Sequence, residues 1–160
     1  MSDIKTVIKG EDSTLHGDLS VSSGQLEMDE GLNTAVLHSL FTDARAREDD
    51  ELPWGETDRR GCWFDPTLPK NAAAGRTVDR YGSRLWLLSR AKQTAETLAR
   101  AKEYAEEALQ WLVDDGIAVK VEVTAEWQSR GYMALTVQIY RRDGSIWSNA
   151  YPWQGVIDAV

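Results

Sequence analysis

Residues 81–142, YGSRLWLLSRAKQTAETLARAKEYAEEALQWLVDDGIAVKVEVTAEWQSRGYMALTVQIYRR, decide the fold. Ser83 is suited to cap a short helix beginning at Arg84, whose apolar face is Leu85, Trp86 and Leu88. Over residues 94–114, Leu98, Ala101, Ala105, Ala108, Leu109 and Leu112 recur at helical spacing and form one apolar stripe. Alanine at several of these places lets another element approach closely. Lys102 and Glu106 stand one turn apart and predict a weak pair, worth a few tenths of a kcal/mol. Gly116 is the expected C-terminal cap. The chain then passes straight into an alternating segment. Ile117, Val119, Val121, Val123, Ala125 and Trp127 predict a buried face, and the residues between them a wet one. Ser129-Arg130-Gly131 predicts a hairpin turn. Met133, Leu135, Val137 and Ile139 continue the buried face, and Arg142-Asp143-Gly144 predicts a second turn. A third strand is expected over 146–151, limited by Pro152, which cannot donate to a ladder. A meander of this kind needs the amphipathic helix over its apolar face. It also leaves two edges, which are templates for another strand unless the N-terminal segment of the same chain fills one.

Upstream the pattern is weaker. Ile4, Val7, Ile8, Leu15, Leu19 and Val21 predict short strands broken at Gly10, Gly17 and Gly24. Asp29 is placed as an N-cap with Glu30 in the first turn, and Leu32, Val36 and Leu40 with Ala35, Phe41 and Ala44 predict a helix over about 30–46. His38 lies in that helix and His16 is the only other histidine, so a structural role is expected of it rather than a metal or catalytic one. Residues 47–82 hold three of the four prolines and no sustained period. A connection this long inside a domain is either functional or disordered. Its acidic part, 47–60, reads as solvated. Gly61-Cys62-Trp63-Phe64-Asp65 is too apolar to stay in water, and 70–77 is small and polar enough for a mobile tip.

Composition narrows the function classes. A chain of 160 residues is one domain's worth. A formal charge of −8 argues against binding to nucleic acid or an anionic membrane, because phosphate contacts need clustered Lys and Arg. A single cysteine, Cys62, cannot form an internal disulfide, and no apolar run is long enough to span a bilayer. A soluble protein made in a reducing cytoplasm is expected. Seven tryptophans are many for this length, and such residues fill cores or anchor interfaces. No nucleophile elbow, zincin motif, phosphate loop, dinucleotide fingerprint, paired-cysteine motif or calcium loop occurs. Two carboxylates could in principle cleave a glycan, but that chemistry needs a pair at a set separation with one of them buried, and the acids here fall mainly on wet faces or in the acidic loop.

Several ordered blocks resemble a known family. They are Asp29-Glu30-Gly31-Leu32 with Thr34-Ala35-Val36, then Ser39-Leu40-Phe41-Thr42-Asp43 with Arg45-Ala46, then Asp49-Asp50 and Pro53. Gly61, Trp63 and Asp65 follow, then Gly82-Ser83-Arg84-Leu85-Trp86 and the helix-to-strand passage over 105–123. Their order is similar to that of the small baseplate protein of Mu-like contractile phage tails, itself related to the lysozyme-like wedge subunit of larger contractile tails and type VI secretion systems. The resemblance covers about residues 15–142. It implies a wedge subunit that contacts larger wedge and hub proteins, offers its sheet as a platform where sheath assembly begins, and has no catalytic cycle. The wider group often carries a Glu-Pro-Arg triplet before the Gly-Ser-Arg-Leu segment. No such triplet occurs here and an insertion separates Asp65 from Gly82, so no role is carried over from it.

The expected architecture is therefore a single α+β domain over 1–160. An antiparallel meander of at least three strands is packed on one face by a long helix, with an N-terminal helix and short N-terminal strands. The expected function is a structural component of a phage or prophage contractile-tail baseplate, located in the virion after assembly in the host cytoplasm. Wedge and hub proteins are its expected partners, with sheath or tube as further neighbours. No catalytic, metal or cofactor residue is assigned. Trp63, Asp65, Gly82, Arg84, Trp86 and Trp127 are the candidate interface or structural corner, with Arg84 expected to pair with Asp65 and Trp63 to pack beside Trp86. A tail-associated glycan-cleaving enzyme and a free adaptor domain stay open as other functions.

Overall fold

The computed structural model describes residues 3–11, 14–26, 28–29, 31–62 and 81–155. The chain divides into two compact units, Met1–His38 and Ser39–Val160, each described by itself.

The first unit is built from antiparallel pairs. β1 (Asp3–Ile4) pairs with β6 (Met28–Asp29), β2 (Thr6–Glu11) with β3 (Thr14–Leu19), and β4 (Val21–Ser22) with β5 (Gln25–Leu26). Gly10 and Gly17 do not break strands as the sequence suggested. They lie inside β2 and β3, where Gly10 is opposite Leu15 and Gly17 opposite Ile8. Asp29 is a strand residue opposite Asp3 rather than an N-cap. The helix α1 (Asn33–Phe41) accordingly starts later and ends earlier than the predicted 30–46. Thr34 ties the helix start to the first strands: its Oγ1 accepts from Thr6 N at 3.2 Å. His38 Nε2 lies 3.3 Å from the Thr6 hydroxyl, which gives that ring a structural partner.

The second unit carries the α+β core that the sequence predicted. Thr94 caps α2 (Ala95–Leu109) by accepting from Thr97 N at 3.2 Å. A break at Gln110 leads into α3 (Trp111–Asp114), and Gly116 closes the helix at φ 72°. Any side chain at Gly116 would also meet the Arg142 guanidinium. Ala101, Ala105, Leu109 and Leu112 of the predicted stripe are fully buried, with Thr97 and Tyr104 beside them.

β7 (Ala118–Ser129), β8 (Tyr132–Arg141) and β9 (Ile146–Gln154) form an antiparallel sheet in that order. α2 and α3 pack on it. Met133, Leu135, Val137 and Ile139 of the central strand are all buried. Each such side chain contributes on the order of 1.5–3 kcal/mol through burial. The strict alternation expected for the first strand fails at its start. Ala118 pairs with Arg141 and Lys120 with Tyr140, so Val119 is the extra residue of a β-bulge. The bulge reverses the parity of everything before it. Ala118 is buried at 3%, whereas Ile117 is exposed and Val119 is 60% exposed.

The third strand passes through Pro152, which pairs with Ala134, instead of stopping there. Gly155 N donates to Gly131 O, so stepping back in twos makes Trp153 and Tyr151 the hydrogen-bonded partners of β8. Pro152 then falls at a non-hydrogen-bonded position. Its nitrogen faces the open edge, where a missing N–H leaves no gap in the ladder.

Candidate functional site

The side chains with most to do converge where residues 42–60 fold back over the turn at 82–88. The chain returns beside itself through a two-residue parallel bridge. Ser83 N donates to Thr42 O at 2.8 Å and Ala44 N to Ser83 O at 2.9 Å. Gly82 makes this approach possible. It sits at φ 87°, and a Cβ there would collide with the Thr42 carbonyl. The Ser83 hydroxyl donates to Leu40 O and accepts from Leu85 N at 3.3 Å. It thus serves the short 3-10 turn Leu85–Leu88, all four of whose residues are buried. Trp86 Nε1 donates to Ala44 O at 2.8 Å.

Arg84 is the centre of the cluster. Its side chain is 6% exposed, and Nη1 donates to Asp50 Oδ1 at 2.8 Å while Nη2 donates to Glu107 Oε2 at 2.5 Å. Its guanidinium also lies 4.3 Å from the centre of the Tyr104 ring. Burial alone pulls the Arg84 pKa down most strongly. The hydrogen bond and charge of Glu107, followed by those of Asp50, outweigh that and hold it above the ordinary arginine value. Arg47 completes the arrangement: its N–H donates to Asp50 Oδ2 at 2.7 Å and its Nη2 to Glu107 Oε1 at 2.8 Å. Two acids and two arginines therefore form a closed ring across loop, turn and helix.

A second arginine pair fastens the same loop. Arg59 donates to the carbonyls of Arg47 and Glu48. Arg60 donates to Asp43 at 2.7 Å and Glu56 at 3.1 Å, and covers the Trp86 ring at 4.3 Å. Glu48, Asp49, Glu51 and Asp58 of the 47–60 stretch are exposed, as expected of a solvated acidic loop, whereas Asp50 and Glu56 turn to Arg84 and Arg60. Asp50, at 10% side-chain exposure, is an inward ligand of Arg84.

Of the six candidate residues, Gly82, Arg84 and Trp86 are brought together here. Trp63 and Asp65, and with them the anticipated Arg84–Asp65 pair and Trp63–Trp86 packing, lie outside the described residues. Trp127 stands elsewhere, opposite Met133 near the hairpin end of β7, and its Nε1 is buried without a hydrogen bond among the described residues. Sequence reasoning missed Asp50 and Glu107 as the partners of Arg84. The clue to Asp50 was the alternation of acids with Arg45, Arg47, Arg59 and Arg60 on either side of it. Glu107 gave no clue, because a glutamate flanking an apolar stripe reads as a solvated one.

The sheet edges are not filled by another strand among the described residues, and each is blunted at single positions. Among the described residues β7 and β9 each pair with β8 alone. The outward N–H of Val123 on β7 is taken by Glu106 Oε1 of α2 at 3.2 Å. On β9 the N–H of Ala150 is taken by the neighbouring Asn149 Oδ1 at 2.9 Å, and Pro152 has none to offer. These are ways of blunting an edge against another strand.

Among the described residues no group of three or more His, Cys, Asp or Glu is placed to hold a metal ion, and no helix is long and apolar enough to cross a membrane. The arrangement is that of a rigid, charge-fastened corner beside a sheet.

Comparison with known proteins agrees with the class suggested by the sequence blocks. Residues 32–146 match the family model of the phage protein GP46. The chain is 43% identical over 130 residues to the baseplate protein gp46 of Escherichia phage Mu, covering 81% of this chain and 83% of that protein. It is 38% identical over 129 residues to the Mu-like prophage FluMu protein gp46 of Haemophilus influenzae, covering 81% and 82%. The chain belongs to the GP46 family of Mu-like phage proteins.

Proposed function

We propose that this chain is a structural, non-enzymatic subunit of a contractile-tail baseplate, and that residues 1–160 act there as one module. The observation that carries this reading is the 43% identity with the Mu baseplate protein over four fifths of both chains. In the finer form of the proposal the subunit sits in the wedge, contacts larger wedge and hub proteins, and presents its sheet where sheath assembly begins. Its place is then the virion tail, reached by assembly in the host cytoplasm. The geometry supports a scaffold. Both amino groups of Arg84 are spent on Asp50 and Glu107, only its Nε being buried without a hydrogen bond among the described residues, so this carboxylate pair is engaged in holding a corner rather than set apart for acid–base work.

Deleting the gene from the phage or prophage that encodes this chain tests the proposal. Tails lacking an assembled sheath, restored when the chain is supplied in trans, are the expected result. Normal contractile tails from the deletion overturn the structural role. Cell-wall clearing by the purified chain, abolished by substituting one carboxylate, overturns the non-enzymatic reading.

A further inference from the structure

The face of the sheet turned away from α2 is charged on β7, at Lys120, Glu122 and Glu126, but not on its other two strands. Its positions on β8 and β9 are the even-numbered residues 132–140 and 146–154, and none of them is charged. In a chain in which 28% of residues are charged, such a bare strip marks a surface selected against charge, as the centres of interfaces are. It is also low. Ala134 and Thr136 lie beside Pro152 and Ala150, four small or compact side chains, and Gln138 follows beside Ser148. Tyr140 and Ile146, the latter 57% exposed, sit opposite each other at one end, with the bulge residue Val119 exposed near them. The sheet edges are blunted only locally, at Val123 and Ala150, whose outward N–H groups are committed, and at Pro152, which lacks one.

The dimensions select the occupant. Two strands of about nine residues give a strip roughly 30 Å long and 10 Å wide. An α-helix of about 20 residues is also roughly 30 Å long and 10 Å across. Covering the strip accounts for only about 300 Å² per partner against the ~800 Å² of a standard interface, so a helix seated here is one part of a larger contact. Charge selects the flank. On the β7 side of the strip Glu122 already serves Lys120 and Tyr140, while Glu126 is exposed and makes no ion pair among the described residues.

From this we infer that the outer face of β8 and β9 is the seat of one α-helix of a partner protein, with a small or apolar face toward Ala134 and Ala150 and a Lys or Arg on the flank toward Glu126. The inference rests on the baseplate reading and says which surface the partner takes and what it is made of.

The test uses tails purified from the phage or prophage that encodes the chain. A photo-crosslinking residue at Ser148 is compared with one at Glu96, which is exposed on α2. The expected result is a Ser148 crosslink mapped to a helical segment bearing a basic residue, with none from Glu96. The double variant Ala134→Glu, Ala150→Glu is expected to enter tails at least tenfold less than the parent while melting within about 2 °C of it. A Ser148 crosslink to a second copy of this chain or to an extended strand overturns the inference, as does the absence of any crosslink. Parental incorporation of the double variant does so too. Should the variant fail to fold, the single Ser148→Glu at an exposed position gives the same readout. Absence of the unmodified chain from the tails overturns instead the baseplate reading on which the inference rests.

Discussion

Arg84 Nη2 donates to Glu107 Oε2 at 2.5 Å, joining the turn after Gly82 to the C-terminal half of α2. With Asp50 on the other amino group, one side chain ties three segments that are far apart in sequence. The enclosure of that guanidinium sets the consequence of losing it. A buried pair adds little over a well-packed apolar replacement, but removing one member leaves the other charge buried and uncompensated.

Arg84→Ala is expected to lower stability by about 3–5 kcal/mol, read by urea denaturation, because it strands the Asp50 carboxylate. Arg84→Lys keeps the charge but cannot fork between two acids, and should recover less than half of the loss. Baseplate assembly should fail with Arg84→Ala. Normal assembly together with an unchanged melting temperature would sink the role given to this corner.

Gly82→Ala is expected to cost at least about 2 kcal/mol, since a positive φ is joined there to a collision with the Thr42 backbone. Gly144→Ala is the control. Its φ is 82° but nothing lies near the added methyl, so about 1 kcal/mol is expected. Equal losses at the two positions would remove the close approach from the account.

The bulge at Val119 makes opposite demands on neighbours. Val119→Lys should change stability by less than about 0.5 kcal/mol, as exposed substitutions do. Ala118→Lys should cost more than about 2 kcal/mol, because an ammonium would have to enter the space under α2 and α3. The reverse ranking in thermal melts would restore an unbroken alternation.

On the outer face, Glu122 is held below the ordinary carboxylate range, first by the Lys120 hydrogen bond and then by that of Tyr140. Tyr140 is raised in turn, chiefly by its bond to Glu122. For Glu122 the folded pKa is the lower one, so its contribution is present above pH 4.5, the ordinary value, and fades as the pH falls through the folded one. For Tyr140 the folded pKa is the higher one, so its contribution is present below pH 10.0 and fades as the pH rises through the folded value. Carboxyl titration by NMR should show Glu122 moving up toward the ordinary range in Lys120→Met, and by a smaller step in Tyr140→Phe. A larger step in Tyr140→Phe would reverse the order of causes.

Periodicity carried the architecture of the second unit. The alanine-bearing stripe of α2, the glycine after α3 and the alternation over 121–127 and 133–139 each encode a local preference that packing reinforces, so they were legible one residue at a time. Errors arose where a backbone irregularity or a distant partner intervened. The β-bulge shifted Ile117 and Val119 to the outside through one unpaired residue, which no side-chain pattern announces. Asp29 has the chemistry of a cap, yet it was drawn into a strand opposite Asp3. Pro152 reads as a strand end, and only its place on an edge, facing away from β8, let the strand continue.

The sequence by itself determined the class of fold, the helix that covers the meander, and the ordered blocks that point to the family, because these rest on spacing along the chain. Only the tertiary structure decided who pairs with Arg84, that Asp50 is turned inward out of an otherwise exposed acidic run, and that β8 and β9 share an outer strip without charge beside a charged β7. Asp50 and Glu107 stand 34 and 23 residues from Arg84, and a pairing across such a separation depends on how the intervening chain packs. No local preference of either acid fixes that distance, whereas the folded core does.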